Sequence, residues 1–311
     1  MRKRCSAIAP FMATLDTHEI PMGSEKLDIS NYCACFIDLL GQRNALKGQN
    51  LLPSFSNDSD EAKFISVLQQ SVGAIERLQK HAEFFREDLV LPVSLRDSLN
   101  EEEQIIYDQM KSPRPKQQPW SDGLVFYHSL NTQLTKCPMS AVFEIFMLAG
   151  TLCLLGLASK QPIRGAIETS WGVELHDNEL YGAVVANSYE LESEAAQYPR
   201  IIVGQHTMNY LNSYLAEPLQ PEQRLELYNR NLAVMCINMT AVDQDGHHIV
   251  NYLGKDFKDS VFHDQSPDLF NKAYSYICEQ YELHKSKKNS KLALRYTWLR
   301  GYFHQHRDLH V

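Results

Sequence analysis

Two aspartates occur where predicted strands end, in positions from which a carboxylate could bind a metal ion. Asp38 lies near the end of the apolar run 31–39, which predicts a strand followed by a turn at 39–41. Asp122 lies in Ser121-Asp122-Gly123, the predicted tip of a hairpin. Mg²⁺ and Mn²⁺ prefer oxygen ligands, so two carboxylates from separate strands can converge on divalent cations. Such a site clamps the attacking and leaving oxygens of a phosphoryl transfer.

Each aspartate also has a plain structural interpretation. An aspartate at a strand end can cap the following turn, and aspartate is favoured in hairpin turns for its backbone conformation. Taken alone, Asp38 and Asp122 fit this second interpretation better. The order of the elements around them is what favours the metal site.

The pattern along the chain predicts an α+β fold with a mostly antiparallel sheet packed on helices. Residues 112–119, with three prolines, are expected to have no regular structure. Besides the strand before Asp38 and the hairpin at Asp122, the predicted elements are helices at 60–88, 139–159, 181–197 and beyond 268, strands at 162–175 and 200–203, and a hairpin at 240–253.

Composition excludes several classes of protein. The 311 residues are 44% hydrophobic, 22% charged and 10% aromatic, which is ordinary globular composition and not that of a disordered chain, a collagen or a coiled coil. The net charge of −8 argues against a nucleic-acid partner. No Walker, Gly-x-Gly-x-x-Gly or Gly-x-Ser-x-Gly sequence is present.

Cysteine usage and hydropathy predict a cytoplasmic protein. The seven cysteines are an odd number without metal-like spacing, which favours buried, reduced thiols. The basic start, Met1 to Arg4, is not followed by a long apolar region, so we expect no signal peptide. The most apolar stretch, 145–158, is shorter than the roughly 20 residues of a membrane span, and we expect none.

The order and spacing of several motifs resemble the catalytic domain of class III nucleotidyl cyclases. The first is Phe36-Ile37-Asp38-Leu39-Leu40-Gly41, the second is the hairpin at Asp122, and the third is the helix from Gly182 to Glu192. Within that family the chain is most similar to the antiphage pyrimidine cyclases of Pycsar systems, on Tyr189-x-Leu191-Glu192, 198–201 and 295–299. The resemblance covers about residues 30–205, with weaker support beyond.

The resemblance implies a ferredoxin-like core that converts UTP or CTP, with UTP preferred, to the 3′,5′-cyclic monophosphate and pyrophosphate. Asp38 and Asp122 would bind two Mn²⁺ or Mg²⁺ ions, aided by the carbonyl of Ile37 or Leu39. Arg164 would be catalytic, contacting phosphate. The remaining residues assigned to nucleotide binding are Phe36, Leu40, Gly41, Arg43, Gln118 and Glu179.

The resemblance also implies partners and a role. The sites of this family form between two domains, so a single copy implies a homodimer. The cyclic nucleotide would signal phage infection by activating a separate effector protein. We divide the chain into an arm at 1–27, a cyclase domain at 28–253 with a helical insertion at 50–112, and a C-terminal helical extension at 254–311.

Two departures from the purine cyclases keep alternatives open. The positions that read the base carry Gln118 and Glu179, which match neither the adenylate nor the guanylate pair and favour a pyrimidine. The positions of the transition-state Asn and Arg carry Ala186 and Glu190. Another arginine would have to replace the missing one, with Arg43, Arg164 and Arg200 as candidates. The alternatives are a purine (adenylate) cyclase with unusual base readers and a catalytically dead, nucleotide-binding regulatory module.

Overall fold

The structure is a computed structural model. It describes residues 28–41, 55–88, 100–101, 104–105, 114–132, 137–176, 178–216, 218–220, 223–261 and 266–310. The predicted N-terminal arm at 1–27 and Arg43 lie outside the described residues, as do parts of the predicted insertion at 50–112.

Eight strands of the described residues form one sheet. They are β1 (Ile29–Leu39), β2 (Lys116–Trp120), β3 (Gly123–Ser129), β4 (Ile163–His176), β5 (Glu179–Tyr181), β6 (Ile201–Val203), β7 (Thr240–Val242) and β8 (His248–Val250). The order is β2-β3-β1-β4-β6-β8-β7, with β5 paired to β4. Among the described strands only β4 and β6 pair in parallel. The α+β class and the mostly antiparallel sheet are therefore confirmed, although eight strands exceed a four-stranded ferredoxin-like core.

The helices enclose this sheet. They are α1 (Asp58–Asp88), α2 (Pro138–Ala158), α3 (Ala183–Glu194), α4 (Gln205–Ser213), α5 (Arg224–Asn238), α6 (Lys255–Val261), α7 (Ser266–Ser286), α8 (Ser290–Gln305) and α9 (Arg307–His310). The described part of the C-terminal extension is thus largely helical. Its residues Phe270, Ile277 and Leu299 join the same buried cluster as the central strand.

Strand β1 lies at the centre of the sheet because its residues are apolar on both faces. Side chains alternate between the two faces of a strand. Cys33, Cys35 and Ile37 pack into the larger core, which includes α2. Phe36 and its neighbours on the other face pack against Val184 of α3. A sheet buried on both faces holds the end of β1 firmly in place.

Helix α2 is apolar on every side and forms the middle of the larger core. By length and composition it could cross a membrane, but 83% of its most apolar window is buried within the fold. Pro138 is the first residue of the helix. A backbone N–H at this position would have no acceptor within the helix, so proline removes no helical hydrogen bond there. The helix packs against α5, α7 and the sheet, as a core helix does.

Two sequence predictions differ from the structure. Residues 116–120 form a strand despite Pro119, because β2 is an edge strand and a proline there removes no hydrogen bond from the centre of the sheet. The helix predicted at 181–197 is shorter, since Glu179–Tyr181 pairs with β4 as β5. Gly182 separates the two elements with a φ of 139°, a conformation that side chains rarely adopt.

Candidate functional site

The end of β1 brings Asp38 between two neighbouring strands. In the strand register Asp38 lies opposite Gly123 of β3 and opposite Arg164 of β4. The Arg164 guanidinium donates to the Asp38 carboxylate over 3.4 Å between Nη2 and Oδ2. The pairing follows from the sheet order, because β1 has β3 on one side and β4 on the other. The residues at this end of β4 therefore lie beside the predicted metal ligand.

The β2–β3 hairpin places Asp122 beside Asp38. The two strands are joined by Ser121-Asp122, so Asp122 precedes the residue that faces Asp38 in the register. A side chain at Gly123 would put its Cβ 2.4 Å from the Ile37 carbonyl oxygen, so only glycine permits this approach. Ser121 has a φ of 53°, which is uncommon for a residue with a side chain. Such local backbone strain is concentrated at functional sites.

A third carboxyl group, Glu192, reaches the same place from α3. Val184, Ser188 and Glu192 follow one another at intervals of four residues, so they lie on one face of the helix. That face is buried against β1 and β4. The Glu192 Oε1 atom lies 2.5 Å from Arg164 Nε. Arg164 thus contacts two acidic residues from two different elements.

The ionisation of Glu192 reflects this crowding. Burial raises its pKa, the charge of Arg164 lowers it, and the charges of Asp38 and Asp122 raise it again together with a hydrogen bond to Asp38. The net result is a pKa of about 7. Burial and the two neighbouring carboxylates therefore outweigh the charge of Arg164 at Glu192.

These residues line an open cavity of about 800 Å³. Two aromatic side chains, Trp120 and Tyr189, form part of its wall. Each packs edge-on against the Phe36 ring, with 6.1 Å between the centroids of Phe36 and Trp120 and 5.3 Å between those of Phe36 and Tyr189. Two cationic side chains of α8 also face the cavity. The full lining is Phe36, Asp38, Leu39, Leu40, Gly41, Trp120, Ser121, Asp122, Arg164, Tyr189, Glu192, Ser193, Gln197, Lys291 and Arg295.

The donor set fits Mg²⁺ or Mn²⁺ held jointly with a phosphate ligand. Within the described ranges no group of three or more His, Cys, Asp or Glu side chains forms a complete metal cage. Mg²⁺ is usually bound by one or two carboxylates together with waters and substrate phosphates, so it does not need such a cage. Asp38 and Asp122 supply the two carboxylates, while Glu192 is held by Arg164. The Ile37 carbonyl lies against Gly123 at the same strand end.

The structure brings most of the predicted site residues together. The ones that line the cavity are Phe36, Asp38, Leu39, Leu40, Gly41, Asp122 and Arg164. The side chain of Ile37 instead belongs to the core. Gly41 continues the chain from β1 with a φ of 97°, so the turn at the cavity rim needs glycine.

The predicted base readers lie elsewhere in the single chain. Gln118 is on β2, and its Oε1 atom accepts a hydrogen bond of 3.0 Å from the Leu180 N–H of β5. Glu179 precedes Leu180 and is exposed. The two positions are thus close to one another, as a pair of readers would be, but neither lines the cavity.

Arg200, one of the arginines that the resemblance offers for a role at the phosphate, does not line the cavity. Its guanidinium is buried and forms ion pairs with Asp243 and Asp245, and it lies over the Tyr198 ring at 4.2 Å. Arg200 therefore fixes the β7–β8 hairpin to the sheet. Of these candidate arginines, Arg43 lies outside the described residues, Arg164 lines the cavity, and Arg200 does not.

Sequence reasoning missed several lining residues. Glu192 had a detectable signal, because it is an acidic residue on the buried face of a helix and so needs a partner. Lys291 and Arg295 are spaced i, i+4 on α8 and thus share a face, although nothing in the sequence indicates what that face contacts. The positions of Ala186 and Glu190 are exposed on α3 and do not line the cavity.

Comparison with known proteins adds no assignment. No protein-family model matches the chain, and no curated protein matches it either.

Proposed function

We propose that the protein is a nucleotide cyclase that converts a pyrimidine nucleoside triphosphate, UTP or CTP, to the 3′,5′-cyclic monophosphate. The observation that carries this proposal is the convergence of Asp38 and Asp122 at one cavity that also contains cationic side chains. Carboxylates suit divalent cations, and arginine suits phosphate oxygens. A metal–triphosphate complex is the ligand whose charges match both.

In the proposed reaction the ribose 3′-oxygen attacks the α-phosphorus. The new bond joins the 3′-oxygen to the α-phosphorus, the bond from that phosphorus to the bridging oxygen breaks, and pyrophosphate leaves with the electron pair. The 3′-hydroxyl proton passes to solvent. Metal ions at Asp38 and Asp122, when bound, would favour ionisation of the hydroxyl and neutralise the triphosphate. Arg164 would hold charge near the reacting phosphate while paired with Glu192.

The aromatic wall of the cavity supports a nucleoside as the part of the ligand that is joined to the triphosphate. Trp120 and Tyr189 line the cavity, and they are 44% and 46% exposed, so their rings are accessible to a base. Stacking of a base on an aromatic side chain tolerates any base. This wall therefore supports nucleotide binding without choosing between a pyrimidine and a purine.

A finer fold assignment belongs to the same proposal. Strands β1 to β4 lie in the order β2-β3-β1-β4, with α1 between β1 and β2 and α2 between β3 and β4. This order supports the ferredoxin-like βαββαβ arrangement that a class III cyclase would have. The remaining strands extend it beyond β4.

The biological setting follows from the resemblance alone. We propose a cytoplasmic homodimer with two sites at its interface, whose cyclic nucleotide activates a separate effector during phage infection. The open cavity leaves room for residues of a second copy.

The test is product formation by the purified protein with Mn²⁺ and UTP or CTP. We expect a cyclic monophosphate and pyrophosphate in equal amounts, and a loss of at least about a hundredfold in Asp38→Asn and in Asp122→Asn. Asp256→Asn, at an exposed position of α6, is the matched control and should keep full activity. Activity that survives in both cavity variants would contradict the metal assignment.

A further inference from the structure

Trp298 connects helix α8 to the β7–β8 hairpin of the sheet. The Trp298 indole N–H donates to Asp243 over 2.9 Å, and its ring packs on Tyr198 with 4.4 Å between centroids. Asp243 is itself held by the buried Arg200. This connection ties α8 to the strand and hairpin that follow α3, so the orientation of the helix is set by several contacts.

The same helix presents two cations to the cavity that contains Asp38. Lys291 and Arg295 lie on the same face of α8 as Trp298 but closer to the start of the helix. Both line the cavity. They come from the same chain as the carboxylates. The cavity therefore combines acidic residues from the sheet end with basic residues from the C-terminal extension.

These cations have no acidic partner within the described part of the chain. None of the ion pairs there includes Lys291 or Arg295. The pKa of Arg295 is lowered, first by burial and then by the positive charge of Arg164. Two guanidinium groups that repel one another at a shared cavity favour an anion between or beside them.

We propose that Lys291 and Arg295 form the polyphosphate-binding part of the cavity and hold the β- and γ-phosphates of the substrate and the pyrophosphate product. The inference rests on the proposed function in taking the ligand for a nucleoside triphosphate. Arginine binds phosphate oxygens through two parallel N–H groups, and lysine binds them as a point charge. In the purine cyclases an Asn and an Arg occupy the positions that are Ala186 and Glu190 here. Lys291, Arg295 and Arg164 would together supply the positive charge that is missing from those exposed positions of α3.

The test uses inorganic tripolyphosphate, which lacks a base and a ribose. The full-length protein is titrated calorimetrically with the magnesium complex of tripolyphosphate. Lys291→Ala and Arg295→Gln should each weaken binding by about tenfold, the loss expected for one charge-assisted hydrogen bond. Lys287→Ala, an exposed lysine just before α8, is the matched control and should bind as the wild type does.

Two results would overturn the inference: wild-type protein that does not bind tripolyphosphate, or variants that bind it as tightly as the wild type does. Lys291 is exposed, so Lys291→Ala keeps the test valid even where Arg295→Gln does not fold. A cyclase assay on the same variants separates this inference from the proposed function. If both variants form the cyclic product with an unchanged KM for the nucleoside triphosphate, only the proposed phosphate-binding role of the two residues is contradicted. If the two variants bind tripolyphosphate more weakly than the wild type but no protein forms a cyclic product, the proposed cyclase activity alone is contradicted.

Discussion

Arg164 and Glu192 form an ion pair of 2.5 Å that joins β4 to α3 at the floor of the cavity. Arg164 also donates to Asp38, so one guanidinium connects a helix, its own strand and the neighbouring strand. The side chain of Glu192 is only 2% exposed, whereas that of Arg164 is 20% exposed. The pair therefore orders the carboxylate side of the site while leaving one edge of Arg164 open to a ligand.

Removing only Arg164 should destabilise the fold. Arg164→Met leaves the buried Glu192 without its cation, so we expect the free energy of unfolding to fall by about 2 to 3 kcal/mol. Arg164→Met/Glu192→Met removes both charges and should recover most of that loss. Urea unfolding followed by circular dichroism measures both effects. A double variant whose loss is the sum of the two single losses would contradict the coupling.

Glu192 should make the metal-free protein less stable as pH rises. Its pKa is about 7 in the folded protein, whereas an unfolded chain ionises a glutamate near pH 4.3. The contribution to stability is complete below the unfolded value and is lost as pH rises through about 7. From pH 4.5 to 8, this group should lower the free energy of unfolding by about 3 kcal/mol.

The control for this pH effect lies on the same helix. Glu190 is exposed on α3, so Glu190→Gln should keep the wild-type dependence of unfolding on pH, whereas Glu192→Gln should flatten it. Thermal unfolding at a series of pH values in the presence of a chelator compares the three proteins. The same slope in wild type and Glu192→Gln would show that another group carries the effect.

Gly123 should be required for bringing Asp122 to Asp38. A Cβ at this position would meet the Ile37 carbonyl oxygen at 2.4 Å, so Gly123→Ala must push the hairpin away from β1. We expect at least about tenfold weaker Mn²⁺ binding, measured by electron paramagnetic resonance, since ligand geometry controls metal affinity. Gly301→Ala is the control, because a Cβ there meets nothing within 4 Å. Equal Mn²⁺ affinity in both variants would contradict the close-approach argument.

The aromatic wall should contribute to nucleotide binding but not to tripolyphosphate binding. Trp120→Ala should raise the KM for the nucleotide about tenfold, the effect of losing one stacked base, and leave the tripolyphosphate Kd unchanged. Trp171→Ala removes a comparably exposed tryptophan that does not line the cavity and serves as the control. A weaker tripolyphosphate Kd in Trp120→Ala would indicate a general distortion of the site.

Much of the strand framework could be predicted because its apolar runs and turns are clear. The runs around Asp38 and Arg164 are buried at several consecutive positions, and the turn at Ser121-Asp122 has typical hairpin chemistry. The short strand β5 was missed, and the hairpin strand before Asp122 was expected to be shorter, because residues 112–119 were predicted to be irregular. Their sequences carry little apolar pattern, and Pro119 fits because β2 is at the edge of the sheet formed by the described strands.

Contacts between distant elements could not be predicted in the same way. Glu168 and Glu174 lie on the same strand as Arg164, but the partner of Arg164 is Glu192 of α3. Glu168 instead accepts hydrogen bonds from the backbone of Thr169 and of Thr207 near the start of α4. The Trp298–Asp243 contact of α8 likewise joins residues that are far apart in the chain.

The most direct test of the central claim is to incubate the purified protein with Mn²⁺ and each of UTP, CTP, ATP and GTP separately, and to identify the products by mass. We predict cyclic UMP or cyclic CMP with an equal amount of pyrophosphate. Cyclic AMP or cyclic GMP alone would keep the chemistry but contradict a pyrimidine substrate. No cyclic product from any of the four would contradict the cyclase assignment and favour a module that binds nucleotide without converting it.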